Sequence, residues 1–98
     1  MNIEIAPIAF QKELNWYDAR LYCFSLTIDG KTGWRLPTNK EQEFLKSQNI
    51  ESSDEWYWTS DDYAENLVVC YNWHSDMCAS GNKNNPFYAR PVRDLKDN

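Results

Sequence analysis

Large aromatic side chains are the strongest constraint on how this chain folds, because five Trp, six Tyr and four Phe sit among only 98 residues. Rings of that size carry too much apolar area to remain in water, so the chain must build a core dense in aromatics. Nothing in 1–98 reads as a linker, an internal repeat or a low-complexity tract, and the whole span reads as a single domain. A domain this small buries a smaller share of its surface than a larger one. It relies on tight aromatic packing, on cross-links or on a partner.

Charge and glycine usage exclude some functions. The net charge is −5, and a chain that repels phosphate overall is poorly suited to nucleic acid. Only three Gly are present, which argues against a glycine-rich nucleotide cradle. No Lys or Arg falls between Lys46 and Lys83, whereas Glu51, Asp54, Glu55, Asp61, Asp62, Glu65 and Asp76 all do. Such a run reads first as a solvated loop face, with a site for a cation or a basic protein as the sharper alternative.

Cys23, Cys70 and Cys78 make an odd set with no CxxC pair, so neither a zinc knuckle nor a fully paired secreted framework is indicated, and reduced thiols are expected. Met1–Phe10 lacks the basic start and cleavage pattern of a signal peptide, and no apolar run reaches the roughly 18 residues of a membrane span. The expectation is a cytoplasmic protein when made, without membrane insertion, that reaches an outer surface as part of an assembled particle such as a virion, or after lysis.

Local signals place the elements. Ile3–Phe10 mixes apolar residues around Pro7 and reads as an edge strand. Asn15 with Asp18 three residues on, Leu14 and Ala19 as a staple, and Trp16, Ala19, Cys23 and Leu26 at helical spacing predict a helix ending before the Asp29-Gly30 turn. Thr38 with Glu41 is a capping box opening a second helix through about Gln48, with Phe44 and Leu45 as its apolar face. Trp56–Thr59 reads as a short strand, and the residues around Asp61 and Asp62 as an acidic loop. Leu67–Trp73 and Met77–Ala79 read as a hairpin turning near His74-Ser75-Asp76. Ser80–Pro86 has the Asn, Gly and Pro of an exposed loop, and Phe87–Arg93 reads as a last strand with Pro91 at a bulge. This order gives an α+β layout, closed by pairing the first strand with the last.

Five motifs occur in one order: Asn-Trp-Tyr-Asp-Ala at 15–19, Tyr-Cys at 22–23, Gly-Trp-Arg-Leu-Pro-Thr at 33–38, Tyr-Trp-Thr-Ser at 57–60 and Arg-Pro-Val-Arg at 90–93. Together they resemble the Lcl C-terminal-domain family, bacterial and phage domains typified by the end of a collagen-like adhesin and largely of unknown function. The resemblance implies a C-type-lectin-like fold of two helices packed on a small antiparallel sheet with long loops. It also implies a ligand-binding scaffold. Two features depart from the pattern: Ile3–Leu14 only partly replaces the usual strand segment before the first helix, and the Glu-Pro-Asn or Gln-Pro-Asp tripeptide of calcium-dependent sugar sites is absent, Asn84-Asn85-Pro86 being a faint echo.

Trp16, Trp34 and Trp58 read as core, and so does Cys23 on its helical stripe. Arg35, Arg90 and Arg93 read as forks tying carbonyls or carboxylates rather than as an anion site. His74 is the only histidine, and a set of Cys70 or Cys78 with His74 and Asp76 lacks the positioned geometry that nucleophilic catalysis requires. The formylglycine-generating enzymes share the broad fold and use a cysteine pair, so the Cys70–Cys78 relation matters. A two-residue hairpin loop sets these thiols on opposite sheet faces, and a three-residue loop sets them on one. Asp61, Asp62 and Glu65 lack the alternating spacing of a calcium loop.

The expected function is therefore non-enzymatic recognition of a surface glycan or protein, with no cofactor, metal or catalytic residue. The expected ligand residues are Tyr63, Asn72, Trp73, His74, Asn82, Asn84, Asn85 and Tyr88, on loops 61–66, 72–76 and 80–88, because Tyr and Asn together offer rigid rings beside adaptable amides. The alternative is an acidic intracellular interaction protein or phage-encoded inhibitor that binds a basic host protein. Thin edge strands also suggest a homo-oligomer or attachment to a larger protein.

Overall fold

In the computed structural model, residues 2–95 are described, and they form an α+β fold of two helices and two sheets. The five-stranded sheet runs β2-β7-β4-β5-β6, from Lys12–Leu14, Phe87–Ala89, Trp56–Ala64, Leu67–Asn72 and Met77–Asn82. The three-stranded sheet runs β1-β8-β3, from Ile3–Ile5, Val92–Asp94 and Trp34–Arg35. All pairings are antiparallel except the single β4–β7 bridge, Tyr57 with Tyr88, which is parallel.

Pro7 and Pro91 explain why there are two sheets where one was expected. Proline cannot donate to a ladder, so the first and last strands each break at their proline. Ile3–Leu14 becomes β1, a turn of 3₁₀ helix at Ile8–Phe10, and β2; Phe87–Asp94 becomes β7 and β8. The halves still meet end to end, β1 on β8 and β2 on β7, and Ala6 N–H bridges to the Pro91 carbonyl at 2.9 Å. The expected closure of first strand on last thus occurs twice.

Helix α1 (Trp16–Ser25) starts at Asn15, whose side chain accepts from the Asp18 N–H at 2.8 Å. Helix α2 (Asn39–Ser47) starts at Thr38 in a complete capping box with Glu41. Between them, Asp29 and Gly30 both have positive φ, 50° and 77°, and close a tight turn bridged by Ile28 and Lys31. The helices lie on opposite faces of the larger sheet. Trp16, Ala19 and Cys23 of α1 pack with Trp58, Val68 and Cys70, whereas Leu45 of α2 packs with Tyr57, Tyr71 and Trp73. Tyr57 and Trp58 are neighbours in one strand, as are Cys70 and Tyr71, so the pleat sends each pair to opposite faces.

Indole N–H groups find carbonyl or amide partners: Trp16 on Thr59 O, Trp34 on Lys31 O and Trp58 on Leu14 O at 2.8–3.0 Å, and Trp73 on the Gln42 side chain. These bonds let large rings be buried without an orphaned donor. Arg90 is 3% exposed and holds the Ala6 and Glu51 carbonyls, both at 2.8 Å. Arg35 grips Glu41 and Asp94, and Arg93 holds Glu4, so all three arginines tie the framework together.

Two stretches expected as loops are strand. β4 runs on through Asp61 and Asp62 with register irregularities after Trp58: the half-buried Asp61 accepts from the Asn39 N–H at 2.8 Å, and pairing with β5 resumes at the exposed Asp62, opposite Val68. β6 extends to Asn82 because Gly81 lets the strand lie close under Phe87. A Cβ there would sit 2.6 Å from the Phe87 ring and 2.7 Å from Cys70 Sγ.

Candidate functional site

The β5–β6 turn spans four residues, Trp73–Asp76, and places Asn72 opposite Met77. Asn72 is 7% exposed, and its side-chain oxygen accepts from the His74 and Ser75 N–H groups at 2.9 and 3.0 Å, so it builds the turn. Trp73 is 4% exposed and packs on Tyr57. The expected exposure of Trp73 and Asn72 is therefore corrected: both belong to the core and its turn, and His74 alone of the three points to solvent.

Tyr63 is exposed near the end of β4, and Asn84 and Asn85 are exposed in the loop after β6. Asn82 ends the strand, with its side chain capping the Asn84 N–H at 2.9 Å. These residues lie beside the β4–β5 turn, since Lys83 N–H reaches the Asn66 carbonyl at 2.9 Å. His74 sits at the other end of β5, about 17 Å away at strand rise. Tyr88 is half-buried against Tyr57 in the middle of the sheet, its hydroxyl pushed up in pKa chiefly by Glu13. The expected site thus divides into two ends and an interior residue.

The acids divide in the same way. Asp54 lies by the His74 end, near the Asn72 amide, whereas Asp62 pairs with Lys83 at the other end. Asp76 is held by Lys46 and by the Tyr71 hydroxyl. Burial and that carboxylate raise the Tyr71 pKa, and the same bond lowers that of Asp76. Asp54 and Asp62 thus lie at opposite ends of the sheet.

The even number of turn residues settles the thiols. Cys70 pairs with Ala79 and Tyr71 with Cys78, so Cys70 and Cys78 project from opposite faces. Burial pushes the thiols of Cys23 and Cys70 up to about 12, far from the thiolate that nucleophilic chemistry requires. Among the described residues, no three His, Cys, Asp or Glu side chains gather where a metal ion would be held. No helix among the described residues is long and apolar enough to cross a membrane.

The most prominent unpartnered surface lies on α1, where sequence reasoning saw a single stripe. Trp16, Ala19 and Cys23 are buried, but Tyr17, Leu21 and Phe24, at i, i+4 and i+7, are 51%, 65% and 83% exposed. The signal was legible in that spacing, since α1 is apolar on two faces. Those side chains wall an open groove of about 500 Å³ completed by Trp34, Arg35, Leu36 and Ser60. Arg20, also lining it, stacks over the Trp16 ring at 4.6 Å, and among the described residues its guanidinium meets no carboxylate. Arg35 across the groove is already neutralised by Glu41 and Asp94, which raise its pKa. The groove therefore offers apolar contact area, ring faces and one preorganised cationic fork.

Comparison with curated proteins finds no match. The family model described as the Lcl C-terminal domain matches residues 4–93, from the β1 strand through Arg93 of β8, and so takes in both helices and both sheets. By that match over nearly its whole length, the chain belongs to the Lcl C-terminal domain family.

Proposed function

We propose that this domain is a non-enzymatic binding module that recognises a protein or glycan surface, with the α1 groove as its principal contact. The observation that carries this reading is the exposure of Tyr17, Leu21 and Phe24 on a helix whose other face is already committed to the core. Three large apolar side chains in one exposed row are the kind of surface on which an apolar contact can be built. Raised thiol pKa values and the opposed faces of Cys70 and Cys78 support a non-catalytic reading. Tyr63, Asn84 and Asn85 are exposed at the β4–β5 turn, the end of the sheet where Lys83 meets the start of α1, and extend the contact there; His74, at the far end beside Lys46 and Trp73, lies outside it.

The test is retention of tagged protein on washed host envelopes and on soluble lysate, at low and physiological salt. Phe24→Ser and Leu21→Ser should each reduce retention at least tenfold, with the melting temperature unchanged. Retention that survives both substitutions but is lost in Asn84→Ala or Tyr63→Ala would move the site to the loop end and overturn the groove assignment.

A further inference from the structure

We infer that the free edge of β6 is a self-association surface whose occupant is β6 of a second copy of this chain, paired antiparallel about a two-fold axis. β6 is the outer strand of the five-stranded sheet. Its six residues pair with β5 in an unbroken register, and five of the six are exposed. Beyond that ladder, the one backbone–backbone bond involving the strand among the described residues is at its end, where the Asn82 carbonyl accepts from Asn85 N–H at 2.9 Å. The row of N–H and C=O groups facing outward is therefore available.

The other edges are blunted in ways that β6 is not. β2 at the opposite edge has three residues, including Lys12 and Glu13. β1 has three residues with Glu4 among them, and β3 has two with Arg35. Short length and charge are the usual protections of an edge. Met77-Cys78-Ala79-Ser80-Gly81-Asn82 carries no charge, on a molecule of net charge −5. The charges that flank it are already paired, Asp76 with Lys46 before the strand and Lys83 with Asp62 after it. Antiparallel pairing sets the Lys46–Asp76 end of one copy against the Asp62–Lys83 end of the other, so each end of the seam brings together two internally neutralised ion pairs rather than unpaired charge.

Strand geometry also fixes what registers are allowed. Along one strand, residues whose backbone groups point outward alternate with those whose groups point to β5. Two residues that face each other in an antiparallel pair must be of the same kind, so in a self-pair their numbers sum to an even value. The two-fold axis then passes through a residue facing its own copy, never between two residues. Centring on Ala79 overlaps the uncharged run most fully while keeping Lys83 out of the ladder. Met77 of each copy then lies beside Gly81 of the other, the one position without a side chain, and Cys78 faces Ser80. An edge of six residues is about 20 Å long, well short of a standard interface, so the association is weak and concentration-dependent.

Sedimentation of the wild-type chain from about 10 μM to about 1 mM should show a reversible dimer, the range expected of a small interface. Ser80→Lys and Ala79→Lys, checked for folding by circular dichroism, should each weaken it at least tenfold, whereas Phe24→Ser should leave it unchanged. Ser80→Cys, oxidised with copper-phenanthroline, should form a covalent dimer through Cys78 faster than Asn82→Cys does, because facing Cα atoms about 5 Å apart admit a disulfide. A monomer throughout that range, or a dimer insensitive to both lysines, would overturn the proposal. Faster cross-linking of Asn82→Cys would overturn the Ala79-centred register.

Discussion

Trp73 shows how one side chain can be placed by a partner far away in sequence. Its neighbours His74, Ser75 and Asp76 are turn residues, and by local rules it belongs with them. Its N–H instead bonds the side chain of Gln42, 31 residues earlier, and its ring packs on Tyr57. Gln42 is itself fully buried and its amide nitrogen donates to the Trp58 carbonyl at 3.2 Å, so one glutamine links the two aromatic cores across the sheet. A polar residue on the inner face of α2 gave no sign of this, since Phe44 and Leu45 looked sufficient to define that face. Trp73→Ala should therefore cost about 3–5 kcal/mol in urea unfolding, through the cavity and the orphaned amide. A loss below about 1 kcal/mol would return Trp73 to the surface.

At the scale of elements, what was legible is what is encoded within a few residues. The Asn15 cap, the Thr38–Glu41 box and the Asp29-Gly30 turn each depend on groups two to four positions apart, and each appears as read. Thr38→Ala should lower stability by about 1 kcal/mol, measured by urea unfolding, because it removes the acceptor for the Glu41 N–H. Strand limits were not legible in the same way. Asp62 and Ser80 are held in β4 and β6 by pairing with Val68 and Val69 of β5, which local composition does not record. The candidate groove was readable only in part, since Tyr17, Leu21 and Phe24 showed helical spacing but their exposure depends on nothing in this chain covering them.

For the molecule as a whole, carboxylates tie the three-stranded sheet to α2 and to the turn at Lys31 and set its acid response. Arg35 holds Glu41 and Asp94, and Lys31 with Arg93 holds Glu4; these partners, by hydrogen bond first, keep all three carboxyls below their ordinary pKa. Such groups bind protons more readily in the unfolded chain, so their stabilisation is full above the usual carboxylate range and is lost as the pH falls through it. Stability to urea should decline between about pH 5 and about pH 2, and Glu41→Gln should make that decline shallower. An unchanged slope would show that Glu41 is not among the groups responsible. The same ion pairs surround the place where the described chain starts and stops, since Ile3 lies opposite Asp94 and Leu95 N–H reaches the Asn2 carbonyl at 2.9 Å. Entry and exit at one point make the domain a cassette: spliced into a surface loop of another protein, it would hold the two sides of that loop close together at little cost in chain entropy. During synthesis the same arrangement imposes a delay, because β1 has no ladder partner until β8 has left the ribosome.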